Sequence, residues 1–192
     1  RGLGDVYKRQ DFDHGTVTGN ILGVALPMLV AQILSLLYNI VDRIYIARIP
    51  SVGTTALGAV GLCFPIIVII TAFSNLFGSG GAPLFSINRG KGNIKKAEVI
   101  MNTSFSMLCI CGVTLMVIGM LFASPILVLF GASEEGLSYA YPYMMIYLIG
   151  TVPSMIATGM NPFINAQGYA TSGMLSVTIG AVANLILDPL FI

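Results

Sequence analysis

Long uncharged apolar segments are the feature that most constrains this chain. Residues 21–41 contain no charged side chain, and as an α-helix these 21 residues would extend about 31 Å. That length crosses the hydrocarbon core of a bilayer, which is about 30 Å thick. Only 9% of the 192 residues are charged, whereas a soluble domain carries about a quarter. The sequence therefore predicts an all-α fold, a polytopic bundle of transmembrane helices.

Four further apolar segments follow the first one. The predicted helices cover residues 19–47, 54–88, 97–130, 137–164 and 170–192. In the second segment, the glycine-rich residues 78–81 and then Pro83 are expected to bend or end the helix. The fourth segment contains Pro142, Pro153 and Pro162 but is long enough to be a single span.

Both ends of the chain differ from its interior. Residues 1–10 have no apolar periodicity, and residues 5–10 resemble the translation of a transposon end, so we predict that residues 1–10 are a non-native leader. Residues 11–18 are predicted to be a polar, cytoplasmic N-terminus, and residues 19–192 the transmembrane part. The sequence is still apolar at Ile192. We therefore expect a chain truncated in its fifth helix.

The loop charges predict an orientation in the membrane. Four basic residues lie within residues 89–98, whereas residues 131–136 contain two acidic residues and no basic one. Basic loops stay in the cytoplasm. The expected protein is a multi-pass protein of the cytoplasmic (inner) membrane with its N-terminus in the cytoplasm. Arg43 and Arg48 oppose this assignment weakly, and Arg43 could pair with Asp42 or extend to the membrane surface.

Several functional classes find no support in the residues. The glycines near Lys91 do not have the spacing of a phosphate-binding loop, and no basic patch is large enough for nucleic acid. The three cysteines lie in apolar segments, where they are expected to pack as small hydrophobic residues. His14 is the single histidine. We predict that the protein is not an enzyme and has no bound cofactor.

Two carboxylates within the predicted spans are the candidate functional groups. A carboxylate at the centre of a membrane helix costs roughly 2.5–3.5 kcal/mol, so it normally faces a cavity or a partner. Asp42 and Asp188 are predicted to lie at similar depths in spans one and five. Tyr38 precedes Asp42 by four residues, and Asn184 precedes Asp188 by four, so each pair shares a helix face. This set could bind a proton or Na⁺, with Asp42 and Asp188 as the possible Na⁺ ligands.

An alternative interpretation of these carboxylates is purely structural. Asp42 would then be an interfacial residue paired with Arg43, and Asp188 a residue at a helix end. Pro189 follows Asp188 directly. It frees the carbonyl of Leu185 and so provides a point where span five could bend.

Four segments together resemble the multidrug and toxin extrusion (MATE) family of transporters, over residues 19–192. Pro27, Gln32 and Asp42, within LPMLVAQILSLLYNIVDRIYIARI, resemble the family's first helix. ALGAVGLCFPI resembles the start of its second helix, and GGAPLFSINRGKGNIKKAE its basic cytoplasmic turn. The most specific element is the N-x-x-x-D-P pattern that begins at Asn184.

The resemblance implies a fold, a function and a site. The family has two six-helix lobes around a cavity that opens alternately to each side, so this chain would be part of the N-lobe and lack the C-terminal lobe. Its members exchange Na⁺ or H⁺ for amphipathic, often cationic drugs. The family's cation site corresponds here to Asp42, Asn184 and Asp188. Tyr38, Tyr143, Asn161 and, from the first-helix match, Gln32 resemble auxiliary or substrate-lining polar positions.

Two other functions remain open at this point. A lipid-linked oligosaccharide flippase of the same superfamily would hold a pyrophosphate with several cationic side chains, whereas the spans here offer only Arg43. A membrane scaffold would need no intramembrane carboxylates. The expected partners are therefore small amphipathic or cationic molecules and the lipid bilayer, with no nucleic acid.

Overall fold

The computed structural model describes the backbone of residues 16–191 and the side chains of residues 16–187. The predicted leader, residues 1–10, lies outside this part of the chain. Six α-helices follow one another: α1 Val17–Ala47, α2 Gly53–Gly90, α3 Ile94–Leu129, α4 Glu134–Ile149, α5 Thr151–Ala166 and α6 Ala170–Phe191. Residues 16–191 contain no β-strand.

The helices form two groups. Helices α2, α3, α4 and α5 pack against one another and form what we call the inner bundle. Helices α1 and α6 pack mainly against each other and form what we call the outer pair. The outer pair joins the inner bundle through smaller contacts of α1 with α2 and of α6 with α5.

Glycines allow the helices of the inner bundle to approach closely. A side chain at Gly78 of α2 would collide with the backbone of Gly159 of α5, and one at Gly159 would meet the side chain of Leu108 of α3 at 2.6 Å. Small residues serve this purpose widely in membrane helices, where packing rather than the hydrophobic effect holds helices together. The contacts link α2, α3 and α5.

Helix α2 does not end at its glycine run, which was one of the two outcomes expected there, and its observed bounds are close to the predicted 54–88. The helix continues through residues 78–81 and Pro83 as far as Gly90. Two of the three glycines face neighbouring helices: Gly78 contacts Gly159, and a side chain at Gly81 would meet Phe163 at 2.8 Å. Packing against α5 thus supports a stretch of α2 that would be weak alone.

The fourth predicted segment consists of two helices instead of one. Helices α4 and α5 are bent by 56° at Gly150, which ends the first and begins the second. Pro153 has no N–H to donate to the carbonyl of Ile149, so the helical ladder is interrupted there. The ladder restarts where the Ser154 N–H donates to the carbonyl of Gly150 at 3.0 Å. Pro153 then lies in the first turn of α5, where a proline is tolerated.

The charged segments between spans are more helical than predicted. Glu134 and Glu135 lie in the first turn of α4, behind the cap Ser133, whose hydroxyl accepts the N–H of Gly136 at 3.1 Å. Acidic residues are favourable at this end because the helix dipole is positive there. The basic stretch, residues 89–98, likewise belongs mostly to the end of α2 and the start of α3.

Large apolar side chains fill the inner bundle in two clusters. The larger cluster centres on Leu108, Leu127, Leu148 and Met155, all fully buried. The smaller one contains Phe85 and Phe163, whose rings meet edge to face with centroids 5.7 Å apart. By contrast, α1 contains no buried residue.

The helices have the lengths and composition of membrane spans. Helices α1, α2 and α3, together with α6 as far as Leu187, are long and apolar enough to cross a membrane, and the bent α4–α5 pair would add a fifth span. The prediction of an all-α polytopic bundle is confirmed.

Candidate functional site

Helix α1 presents two polar side chains one helical turn apart. Tyr38 and Asp42 are both half-buried, although most of the apolar side chains around them on α1 are exposed. Their spacing of four residues places them on the same face. This face is directed toward α4, because Asp42 interacts electrostatically with Tyr143, and Tyr38 does so with Tyr147.

Helix α4 contributes two tyrosines that interact electrostatically with residues of that face. The rings of Tyr143 and Tyr147 are stacked, with centroids 6.5 Å apart and planes inclined by 22°. Both side chains are half-buried. Tyr38, Asp42, Tyr143 and Tyr147 thus form what we call the tyrosine–carboxylate cluster, between the outer pair and the inner bundle.

Side chains of α2 border this cluster. The Arg43 guanidinium lies over the ring of Phe64, 5.7 Å from its centroid. A cation over an aromatic ring, as Arg43 is over Phe64, is stabilised by the quadrupole of the ring. The Cys63 thiol donates to the carbonyl of Ala140 at 3.6 Å and so links α2 to α4. Arg43 also interacts electrostatically with Tyr143, so a positive charge borders the cluster that contains the Asp42 carboxylate.

The structure brings the helices of the two predicted carboxylates together. Helix α1, which carries Asp42, packs mainly against α6, which carries Asn184 and Asp188. Asn184 is exposed, and the side chain of Asp188 lies outside the described residues. A joint site of Asp42 and Asp188 therefore stays a prediction. Within the described residues, no group of three or more histidine, cysteine or acidic side chains lies together.

Asn161 belongs to a different polar network, between α5 and α6. Its amide nitrogen donates to the carbonyl of Gly173 at 3.2 Å and to the hydroxyl of Ser176 at 3.3 Å. Its amide oxygen accepts the amide N–H of Asn165 at 3.1 Å. We call these four residues the asparagine clamp. Gly173 precedes position 188 by fifteen residues, or about 22 Å along α6, so the clamp and the predicted carboxylate occupy different parts of that helix.

Gln32 lies outside both polar groups. It is exposed on α1, ten residues before Asp42, which corresponds to about 15 Å along the helix. The structure therefore places Gln32 on the path of α1 but not beside the tyrosine–carboxylate cluster.

Sequence reasoning missed four residues of these groups: Tyr147 of the cluster and Asn165, Gly173 and Ser176 of the clamp. Tyr147 follows Tyr143 by four residues, and Asn165 follows Asn161 by four, so each repeats a polar position on the same helix face. That periodicity was the available signal. It was hidden by the prediction of one continuous span, because the break at Gly150 determines which way each pair faces.

The oxygen donors of the cluster define its chemistry. A carboxylate beside phenolic hydroxyls can hold a proton or coordinate a hard cation such as Na⁺, which prefers oxygen ligands. The aromatic faces of the stacked tyrosines can receive a flat or cationic organic molecule.

Comparison with known proteins identifies the family of the chain. The MatE family model matches residues 27–190. The chain belongs to the MatE family. The match covers α2 to α5 completely and includes both Asp42 and Asn184.

Characterised relatives are transporters of two kinds. The chain is 29% identical over 183 residues to an FAD transporter of Shewanella oneidensis, covering 93% of this chain and 40% of the relative. It is 26% identical over 181 residues to the multidrug export protein MepA of Staphylococcus haemolyticus, covering 94% of this chain and 40% of MepA. The chain thus spans about 40% of the length of the relatives it matches.

Solved structures share the fold. An outward-facing MATE transporter of the MOP superfamily superimposes with a TM-score of 0.84 at 25% identity, covering 92% of this chain and 39% of that protein. A crystal structure of MATE in the bent conformation gives a TM-score of 0.83 at 26% identity, with the same coverage. This MatE chain therefore adopts the fold of part of a MATE transporter and is a multi-pass membrane protein.

Proposed function

We propose that the intact protein containing this chain is a cation-coupled antiporter that exports amphipathic, often cationic molecules across the cytoplasmic membrane. The observation that carries the proposal is the tyrosine–carboxylate cluster, in which the Asp42 carboxylate interacts electrostatically with Tyr143, one of two stacked tyrosines. The similarity to a multidrug export protein supports the same conclusion. In this proposal the basic loop, and with it the N-terminus, faces the cytoplasm.

The coupling step would depend on the charge of Asp42. Entry of H⁺ or Na⁺ would neutralise this carboxylate and remove its interaction with Tyr143. Because the outer pair buries little surface against the inner bundle, such a change in charge could move α1 relative to α4 at low cost. Asp188 and Asn184 on α6 are the proposed second half of the cation site, and Tyr38 the neighbouring hydroxyl donor.

Ethidium efflux tests this proposal. Cells or vesicles that contain the intact protein are loaded with ethidium, and the Na⁺ and H⁺ gradients are collapsed one at a time. We expect efflux to stop with one of the two gradients, which identifies the coupling ion. Efflux that ignores both gradients would overturn the cation-coupled mechanism and leave the flippase or the scaffold.

Substitution of the carboxylates tests the site. Asp42→Asn and Asp188→Asn keep the side-chain shape and remove the charge, so each is expected to reduce gradient-driven efflux at least about 100-fold, as for loss of a few kcal/mol of coupling. Glu134→Gln, at the start of α4 and outside the cluster, is the matched control and should keep full efflux. Undiminished efflux in both aspartate variants, at equal expression, would remove the cation site from these residues.

Export of a flavin nucleotide is the second candidate. The 29% identity to an FAD transporter favours it. FAD carries a pyrophosphate, and Arg43 is the single basic residue of α1 available to neutralise it. Transport assays in inverted vesicles decide between the two candidates. If uptake of external FAD is gradient-driven and is blocked by Arg43→Gln, and if ethidium is not transported, the substrate is the nucleotide.

A further inference from the structure

The charged residues of the two longest helices lie at one end. Helix α2 has 38 residues and a single charged one, Arg89, in its last turn. Helix α3 has 36 residues, and its charged ones are Lys95, Lys96 and Glu98, in its first five positions. Together with Lys91 they form a surface that we call the basic tip, residues 89–98, with a net charge of +3.

The turn that connects the two helices is short and hydrogen-bonded. The Gly92 N–H donates to the carbonyl of Arg89 at 3.0 Å, and the Asn93 N–H to that of Asn88 at 2.9 Å. Gly92 has a φ of +75°, which a residue with a side chain rarely adopts. Asn93 then caps α3, its side chain accepting the N–H of Lys96 at 3.2 Å. The three lysines are therefore held on one compact turn.

The cationic side chains are available for a partner. Lys91, Lys95 and Lys96 are all exposed. Arg89 is half-buried and lies over the ring of Phe85, 6.0 Å from its centroid. Glu98 is the one acidic residue of the tip, so the lysines outnumber the carboxylates available to neutralise them.

Apolar side chains surround the basic tip on both helices. Leu84 and Ile87 on α2, and Ile94 and Val99 on α3, are between 51% and 61% exposed. Four large apolar residues within one or two turns of three lysines make a surface that is apolar on its membrane side and cationic at its end. Water would be an unfavourable environment for the exposed apolar side chains, and hydrocarbon would be an unfavourable environment for the lysine ammonium groups.

The basic tip marks the end of the apolar stretches of α2 and α3, and such a change from apolar to cationic residues is typical of the headgroup level. The uncharged part of α2, from its first residue to Asn88, is 36 residues, or about 54 Å, and exceeds the hydrocarbon core of about 30 Å. The first turns of α2 contain no charged residue, so the charged residues of α2 and α3 all lie at the basic tip. Lysines at this level reach the phosphates, and their aliphatic stems remain among the acyl chains.

We propose that the basic tip is a binding surface for anionic phospholipids, with Lys91, Lys95 and Lys96 holding the headgroup phosphates and Ile87 and Ile94 contacting the acyl chains. A nucleic acid does not fit, because it offers no partner for the exposed apolar side chains. Lipid binding at the tip would resist vertical movement of α2 and α3 and so hold the inner bundle fixed while other helices move. This inference does not depend on the proposed transport activity.

Native mass spectrometry of the intact purified protein tests the proposal. The protein is equilibrated in nanodiscs of phosphatidylcholine and phosphatidylglycerol in equal amounts, released, and its retained lipids are counted. We expect at least one phosphatidylglycerol to be retained preferentially by the wild type. The Lys91→Gln/Lys95→Gln/Lys96→Gln variant should lose that preference about tenfold or more, since each lysine near an anionic surface contributes several-fold to binding. Both leaflets of the nanodisc contain the same lipids. If the variant inserts into the cell membrane in a different orientation, the result in nanodiscs is therefore not affected.

Two controls make the outcome decisive. The corresponding triple arginine variant keeps the charge and should keep the preference, and the Glu134→Gln/Glu135→Gln variant changes charge at the start of α4 and should leave it unaltered. Equal thermal stability of the variants establishes that they are folded, and the exposure of all three lysines makes this the expected result. A wild type without preference for phosphatidylglycerol, or a glutamine variant that retains it, would overturn the proposal.

Discussion

The inner bundle and the outer pair are held together by different means. In the inner bundle, glycines bring backbones into contact and fully buried leucines fill the space between them. In the outer pair, α1 buries no residue, and its large side chains such as Val17 and Leu36 are 77% and 63% exposed. Yet Asp42 lies on α1. The carboxylate of the tyrosine–carboxylate cluster is thus carried by a helix that buries no residue, and the comparison predicts stability in the inner bundle and movement of the outer pair.

The largest expected effect on stability is in the apolar core of the inner bundle. Leu108 is fully buried and contacts α5 at Gly159. Leu108→Ala should lower the free energy of unfolding by about 3 kcal/mol, because it removes dispersion contacts and leaves a cavity. Leu121→Ala, on the same helix but 70% exposed, should cost less than about 1 kcal/mol. Denaturant titration in micelles measures both, and equal losses would contradict the comparison.

A smaller effect is expected where α2 touches α5. Gly78→Ala places a methyl group against the backbone of Gly159, which cannot move as a side chain can, so we expect a loss of about 2 kcal/mol. Gly80→Ala is the matched control, since no atom lies within 4 Å of its added methyl group. Because alanine favours helix more than glycine does, that control should be neutral or slightly stabilising. A thermal unfolding assay that ranks the two variants the other way would disprove the glycine contact.

The smallest effect is expected at the junction of the two groups. Asn165→Ala removes the N–H that Asn161 accepts, and should cost about 1 kcal/mol locally. Hydrogen exchange in nanodiscs should accelerate in the first turns of α6 and remain unchanged in α3. Asn102→Ala, at an exposed position on α3, is the control. If Asn165→Ala instead accelerates exchange throughout the inner bundle, the division into two groups is incorrect.

The polar network at that junction has one incomplete feature. The side-chain oxygen of Asn165 is buried and accepts no hydrogen bond from the described residues, and it lies against Gly173. A larger residue at position 173 would collide with it. The clamp therefore requires a glycine on α6 opposite the asparagine on α5, and neither residue type alone would have indicated this contact.

The sequence by itself determined the fold class and the candidate carboxylates of this protein. Uncharged segments longer than about 20 residues can satisfy their backbone groups in a bilayer only as helices, so composition was sufficient. A carboxylate in such a segment is costly wherever the helix lies, so Asp42 could be selected without a neighbour.

Only the tertiary structure decided which residues meet. It divided the fourth segment at Gly150, continued α2 through its glycines, stacked Tyr143 on Tyr147 and placed Asn161 against Gly173. Helix contacts in a membrane depend on close fit between particular faces, because lipid and apolar side chains attract each other about equally. Hydropathy reports whether a segment can cross a membrane, but it does not report how two helix faces fit together. The spans could therefore be predicted from the sequence, and their contacts could not.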